Sequence, residues 1–228
     1  KGSFAGLGTD GSIKNVENIN LTNGTTIERT FNAKNIEGVE KYTLTSAKGI
    51  SISNLAAAGI EVNAKGLQNP YSVAFNSDLD LKGTTDAMTL SFDGVGAAKA
   101  GTTAQNNVAV TMASIEDLTL KTSGTESFVD LKAVDATSYT ISGDANLTIS
   151  AVKNGLKTVD ASALSGNLTI DTTGVATAAS ITSIVAGSGD DKITIDANDL
   201  TPNASINGGA GADTLVVKST GVNTVQYA

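Results

Sequence analysis

Short stretches of apolar, polar, apolar residues punctuate this chain. Tyr42-Thr43-Leu44, Met88-Thr89-Leu90, Leu118-Thr119-Leu120, Tyr139-Thr140-Ile141, Leu147-Thr148-Ile149, Leu168-Thr169-Ile170 and Ile193-Thr194-Ile195 share the pattern, with Ile19-Asn20-Leu21 before them and the apolar variant Leu215-Val216-Val217 after. Alternation with a period of two places the apolar residues on one face of an extended segment, so each triplet predicts a short strand with one buried face.

The triplets recur at a nearly fixed interval. Ser142-Gly143, Ser165-Gly166 and Ser188-Gly189 are 23 residues apart, and Ala210-Gly211 follows 22 later. A second signature, two apolar residues three apart and usually followed by an acid, recurs at Ile13/Val16-Glu17, Ile36/Val39-Glu40, Met112/Ile115-Glu116, Leu131/Val134-Asp135 and Leu156/Val159-Asp160. Ile181/Ile184 continues it without the acid. This signature predicts another short strand in each unit. Residues 46–110 fit the period less well, with Ile50-Ser51-Ile52, Ile60-Glu61-Val62 and Val73-Ala74-Phe75 as strands of irregular rungs.

A fixed period of this length is the mark of a stacked repeat architecture. The expected fold is all-β, a right-handed parallel β-helix or β-roll solenoid with about 19–25 residues per rung and about ten rungs, spanning residues 1–228 as one unit. The alternative is a β-sandwich built of hairpins, but two-residue turn signals are sparse, the best being Asn23-Gly24 and Asp93-Gly94. Helix is expected only in brief pieces such as Ser53 to Ala58 and Gly94 to Ala100.

Composition supports the layered core. Hydrophobic residues make up 40% of the 228, yet Trp is absent and aromatics are 4%, so the interior must be filled by many small side chains in register. Thr and Val favour strands, while Asn and the 24 Gly favour turns. The absence of His and Cys removes Ser-His-Asp and Cys nucleophiles, ordinary zinc sites and disulfides. Carboxylate chemistry and oxygen-bound hard cations remain. A net charge of −8, with Lys and Arg scattered singly, argues against nucleic acid and anionic membrane as partners. No apolar run approaches the roughly 20 residues needed to insert in a bilayer. The start, Lys1-Gly2-Ser3-Phe4, reads as that of an excised fragment from which any targeting signal has been removed.

One constellation carries chemistry. Ala186-Gly187-Ser188-Gly189-Asp190-Asp191-Lys192-Ile193-Thr194 and Gly208-Gly209-Ala210-Gly211-Ala212-Asp213-Thr214-Leu215-Val216 resemble the nine-residue calcium-binding motif of repeats-in-toxin proteins, G-G-x-G-x-D-x-apolar-x. The second copy matches throughout, and the first departs only at Ala186. Calcium takes six to eight hard oxygens, glycines let backbone carbonyls face a common point, and the Asp supplies charge. The resemblance implies Ca2+ between stacked turns, with Gly187, Gly189, Asp190, Asp191, Gly208, Gly209, Gly211 and Asp213 as the metal residues, within rungs spanning 180–218. The spacing of 22 residues between the copies is longer than two nine-residue units of the regular pattern. Ser142-Gly143-Asp144-Ala145-Asn146-Leu147 aligns with Ser188 to Ile193 but has Ala145 in place of Asp191, and Ser165-Gly166 is followed by Asn167-Leu168. Both are expected to be metal-free turns.

Glu17, Glu40, Glu116, Asp135 and Asp160 are expected to share one repeat position and to line one face. Such a line is a solvated face more often than a pair of catalytic carboxylates, and the chain has no Trp and spreads its four Tyr along its length where a glycan-cleaving enzyme gathers aromatics around one cleft, so no enzymatic activity is expected.

A Thr/Ala/Asn-rich, Cys-free acidic solenoid with these turns, and with segments such as Val39-Glu40-Lys41-Tyr42-Thr43-Leu44, resembles bacterial surface-layer proteins of the Campylobacter and Caulobacter kind. The resemblance implies a structural protein exported by type I secretion to the extracellular face of the bacterial cell. There it would bind calcium and assemble with itself into a lattice or homo-oligomer, with lipopolysaccharide or another surface glycan engaged through regions outside this chain. Two alternatives stand beside this: an adhesin binding a host or cell-surface ligand, and a non-catalytic secretion module of a larger exported enzyme.

Overall fold

The computed structural model describes residues 2–3, 11–46, 48–75, 81, 85–98, 105–153, 155–173 and 181–219. Among these, two large parallel sheets carry the fold. One has ten strands, stacked in the order Gly2–Ser3, Arg29–Asn32, Ile50–Leu55, Tyr71–Phe75, Val108–Met112, Ser127–Val134, Leu147–Val152, Leu168–Asp171, Lys192–Asp196 and Thr214–Lys218. The other has nine: Asn18–Asn23, Lys41–Ser46, Glu61–Lys65, Ala87–Asp93, Asp117–Thr122, Ser138–Gly143, Thr158–Leu164, Ser183–Val185 and Ser205–Asn207. The chain visits the sheets alternately, so each circuit lies on the one before. The result is a parallel β-solenoid of about eight turns.

Period-two alternation holds this stack together, because pairing in register puts like residues above like. Val129, Ile149, Ile170, Ile193 and Leu215 form one such column, and Met88, Leu118, Tyr139, Val159, Ile184 and Ile206 another on the facing sheet. Slipping any strand by one residue would turn its apolar set outward, so the register is fixed by burial. Side-chain hydrogen bonds between neighbouring rungs confirm the period, linking residues 21, 22 and 23 apart. Three of the four tyrosines, Tyr42, Tyr71 and Tyr139, are buried and fill the interior. Burial raises their phenols, that of Tyr42 to about 12.

Several sequence expectations are corrected. About eight turns stand where about ten are expected, and one circuit is enlarged: Tyr71 pairs with Val110, and the intervening chain carries the antiparallel pair Ala97–Ala98 and Gln105–Asn106. Residues 50–75 keep the period, since Ile50 pairs with Arg29 and Tyr71 in turn, with a bulge between Ile52 and Leu55. The irregularity therefore begins after Phe75. The apolar pair followed by an acid forms a third ladder only where Ile13–Lys14 pairs with Ile36–Glu37. Elsewhere Leu131 and Val134 lie within the strand Ser127–Val134, and the other copies straddle the corner between sheets, where Ile115, Leu156 and Ile181 are buried. Ser53 to Leu55 is strand, as are Ala97 and Ala98, and neither region forms helix; Lys99 and Ala100 lie outside the described residues. The described helical piece is a short 3-10 turn, Ala197–Asp199. Asn23-Gly24 is a corner between strands of the two parallel sheets, and Asp93-Gly94 joins the parallel strand Ala87–Asp93 to Ala97–Ala98; the strands flanking each do not pair with one another, so neither is a hairpin.

The five acids do not form one line. The Glu40 N–H donates to the Glu17 carbonyl, the Asp86 N–H to the Glu116 carboxylate and the Ser114 N–H to Asp135, while Asp160 pairs with Thr140. The insertion shifts the register of the nine-stranded sheet by two, since Val62 pairs with Leu90 but Met88 with Leu118. A shift of two preserves inside and outside, which is why the sequence pattern continues through it unchanged.

One outward charge cluster lies on the nine-stranded sheet. Glu61 faces the Lys41 ammonium at 2.6 Å and that of Lys121 at 3.4 Å, and accepts from the Ser91 hydroxyl at 2.8 Å. Burial alone would raise this carboxyl, but Lys41, Ser91 and Lys121 outweigh it and hold the group below the ordinary glutamate range. A lowered folded value means that the cluster stabilises the fold above the unfolded glutamate pKa, about 4.3, and that this contribution fades as pH falls through the folded value. Glu61→Gln is therefore expected to cost under about 1 kcal/mol at neutral pH, and less at pH values below the glutamate range, as read from urea midpoints.

Candidate metal centre

The two glycine-rich segments are consecutive corners on the same edge of the solenoid, each leading from the nine-stranded to the ten-stranded sheet. They lie directly on one another: the Ala210 N–H donates to the Gly187 carbonyl at 3.0 Å, and the Thr214 N–H to the Asp191 carbonyl at 2.8 Å. Glycine is demanded by this closeness. A Cβ on Gly189 would lie 2.7 Å from the Gly166 carbonyl oxygen, and one on Gly209 or Gly187 would overlap the carbonyl of the preceding rung. The longer spacing between the copies is thus one rung, with the corners stacked.

Three carboxylates occupy these corners. Asp191 is 2% exposed and stands where Leu168 and Leu147 stand in the two preceding rungs, since Lys192 pairs with Thr169 and Thr169 with Thr148. Its column partners are therefore these two leucines, and Ala145 belongs to the corner before them. An ionised group at a core position must be compensated by hydrogen bonds. Asp191 Oδ1 accepts the Leu168 N–H at 2.6 Å, and Oδ2 accepts the Gly187 N–H at 3.0 Å. Asp213 Oδ1 in turn accepts the Asp191 N–H at 3.0 Å, so the two aspartates reach back one rung each.

A second ladder runs the other way. Asn146 Oδ1 accepts the Asn167 N–H at 2.8 Å, Asn167 Oδ1 accepts the Asp190 N–H at 3.0 Å, and Asp190 Oδ1 accepts the Ala212 N–H at 2.8 Å. Asn146 and Asn167 were not among the residues expected from sequence. Their shared offset, one residue before the Leu-Thr-Ile strands, is the signal that marks them.

The chemistry differs along this ladder. Neutral amides cap the two preceding corners, whereas the last two concentrate Asp190, Asp191 and Asp213, and among the described residues no lysine or arginine forms an ion pair with any of them. Burial pushes the Asp191 carboxyl up, the Leu168 and Gly187 N–H groups pull it down, and the charges of Asp213 and Asp190 push it up again. The net result lies above the ordinary aspartate range. Ionisation of Asp191 thus costs stability as pH rises through its folded value, a cost that a cation would relieve.

The donor set fits a hard, oxygen-bound cation in kind. Asp190 and Asp213 would supply carboxylate oxygens, and Gly187, Gly189, Gly208, Gly209 and Gly211 backbone carbonyls, with Asp191 already engaged by two N–H groups. Among the described residues no three acidic side chains converge as a metal-holding group. Backbone carbonyls would therefore have to complete the ligand set.

Comparison with protein-family models, with curated proteins and with solved structures gave no match. Among the described residues no helix is long and apolar enough to cross a membrane.

Proposed function

We propose that this chain is a segment of a structural, self-associating bacterial surface protein that binds calcium in the corners at 186–191 and 208–213. The observation that carries the reading is the placement of Asp190, Asp191 and Asp213 in two stacked glycine corners without a basic partner among the described residues, at positions where the two preceding rungs use Asn and Leu. Carboxylates are dispensable for capping a turn, since Asn146 and Asn167 do it without charge. Their concentration in two corners is accounted for by a divalent cation that neutralises them.

Coupling of the ion to folding gives the cation a biological role. A cation that binds only the folded corners adds its binding free energy to stability. Where calcium is scarce, as in the cytosol, the last rungs are weaker; where it is millimolar, as outside the cell, they tighten. Electron microscopy and light scattering of the protein titrated from chelator into millimolar calcium test this. Ordered two-dimensional or oligomeric assemblies are expected on adding calcium, and a monomer unchanged by calcium would remove the assembly reading.

A further inference from the structure

Asn-Gly pairs are chemically vulnerable because a glycine backbone nitrogen, unshielded by a Cβ, can attack the preceding side-chain amide. The sequence contains three, at Asn23-Gly24, Asn154-Gly155 and Asn207-Gly208. Asn154 lies outside the described residues, and the structure treats the other two in opposite ways.

Asn23 is buried, and its amide is engaged on both sides. Nδ2 donates to the Ile27 carbonyl and to the Gly49 carbonyl, each at 3.0 Å, while Oδ1 accepts the Thr25 N–H at 3.0 Å and the Thr25 hydroxyl at 2.7 Å. The side chain is a staple between the first corner and the next rung. Its carbonyl carbon cannot turn toward Gly24 without breaking these bonds.

Asn207 is the last residue of its strand and is exposed. Its Oδ1 accepts the Gly209 N–H at 3.0 Å, an Asx turn that folds the side-chain carbonyl back over the following peptide and polarises it. Neither its Nδ2 nor the Gly208 N–H has a partner among the described residues. The electrophile is thus oriented and polarised by a neighbouring N–H, the nucleophilic nitrogen is unengaged, and the leaving amide nitrogen is open to solvent.

We infer that Asn207 is a site of spontaneous deamidation, protected in neither reactant, while Asn23 is held inert by the fold. The Gly208 nitrogen loses its proton to solvent base and bonds to the Asn207 Cγ, and the side-chain Cγ–Nδ2 bond breaks with release of ammonia. Water then opens the resulting succinimide at either carbonyl, leaving aspartate or isoaspartate. No oxidant or reductant is needed. Aspartate adds a carboxylate to a corner that already holds Asp213. Isoaspartate lengthens the backbone where Gly208 is pressed against the Asp213 side chain and Gly209 against the preceding rung. The modification therefore ages the same corner that is proposed to hold calcium, although the chemistry at Asn207 does not depend on that proposal.

The test is peptide mapping of the whole protein incubated in chelator at mildly alkaline pH, with isoaspartate detected by isoaspartyl methyltransferase labelling and the mass change located by fragmentation. Conversion at Asn207 is expected to run at least about tenfold faster than at Asn23, the factor that one to two hydrogen bonds of opening cost imply. In denaturant the two sites should converge. Asn207→Ser should abolish conversion in the peptide that spans position 207 while leaving the circular dichroism spectrum unchanged. Equal rates at Asn23 and Asn207 in the folded protein, or conversion in the 207 peptide that persists in the Asn207→Ser variant, would overturn the assignment.

Discussion

Gly143→Ala is expected to destabilise the protein by about 3 kcal/mol, the sum of an overpacking cost and a disfavoured backbone conformation. Gly143 closes the strand Ser138–Gly143 with φ at +128°, and a Cβ there would overlap the Thr122 carbonyl of the rung below. Thr122 cannot retreat, because its own hydroxyl donates to the Ala145 carbonyl at 2.8 Å in the next corner. Gly24 is the control. It has no positive φ, and a Cβ there would meet nothing within 4 Å, so Gly24→Ala should be neutral or slightly stabilising through the unfolded chain. Denaturant midpoints of the two variants measure the difference. Equal effects would show that rung spacing at the corners is looser than described.

Asp191→Ala, measured in chelator, is expected to cost about 3 kcal/mol, because two backbone donors lose a charged acceptor at a buried position. The Leu168 and Gly187 N–H groups both point at this one carboxylate, and the 2% exposure of Asp191 leaves little room for water to replace it. Asp191→Asn should cost less, since one oxygen remains to accept. This outcome concerns the apo protein alone. It separates what the carboxylate does as a staple between rungs from what it would do as part of a cation site, and loss of the rungs after Ile181 in hydrogen exchange would localise the effect. A cost near zero for Asp191→Ala in chelator would mean that the two N–H groups find other partners.

Much of the solenoid is legible in the sequence because its causes are local and repeated. Leu147-Thr148-Ile149 and Leu168-Thr169-Ile170 are strands for the same reason, and they pair because each buries the same two residues. The enlarged circuit was less legible. Residues 50–75 look irregular beside their neighbours, yet they pair at the normal step, and the departure lies in chain that is spliced in without disturbing the apolar alternation of Ala87–Asp93. Nor could repeat spacing alone reveal which acids share a column, since a two-residue shift leaves the alternation intact. Glu116 thus meets Asp86, while Glu40 meets Glu17.

The corners divide in the same way. Glycine spacing located them, because only a residue without Cβ tolerates a carbonyl so close. What each Asp does there was hidden, because an alignment on Ser-Gly set Asp191 against Ala145, whereas hydrogen bonding sets it against Leu168. The Asn146, Asn167, Asp190 ladder was likewise invisible as chemistry, since a lone Asn before a strand reads as ordinary turn residue until the next rung's N–H is seen to point at it.

Calcium-dependent stability of the whole chain bears most directly on the account. Thermal unfolding is compared in chelator and in about 10 mM calcium, roughly a hundredfold above the dissociation constant of a tight extracellular calcium site, for the natural sequence and for the Asp190→Asn, Asp213→Asn double variant. Binding to the folded corners alone predicts a gain of about 2.7 kcal/mol, a rise of several degrees, that the double variant loses while keeping its midpoint in chelator nearly unchanged. An unfolding midpoint indifferent to calcium, or an equal gain in the double variant, would contradict a calcium site at Asp190 and Asp213.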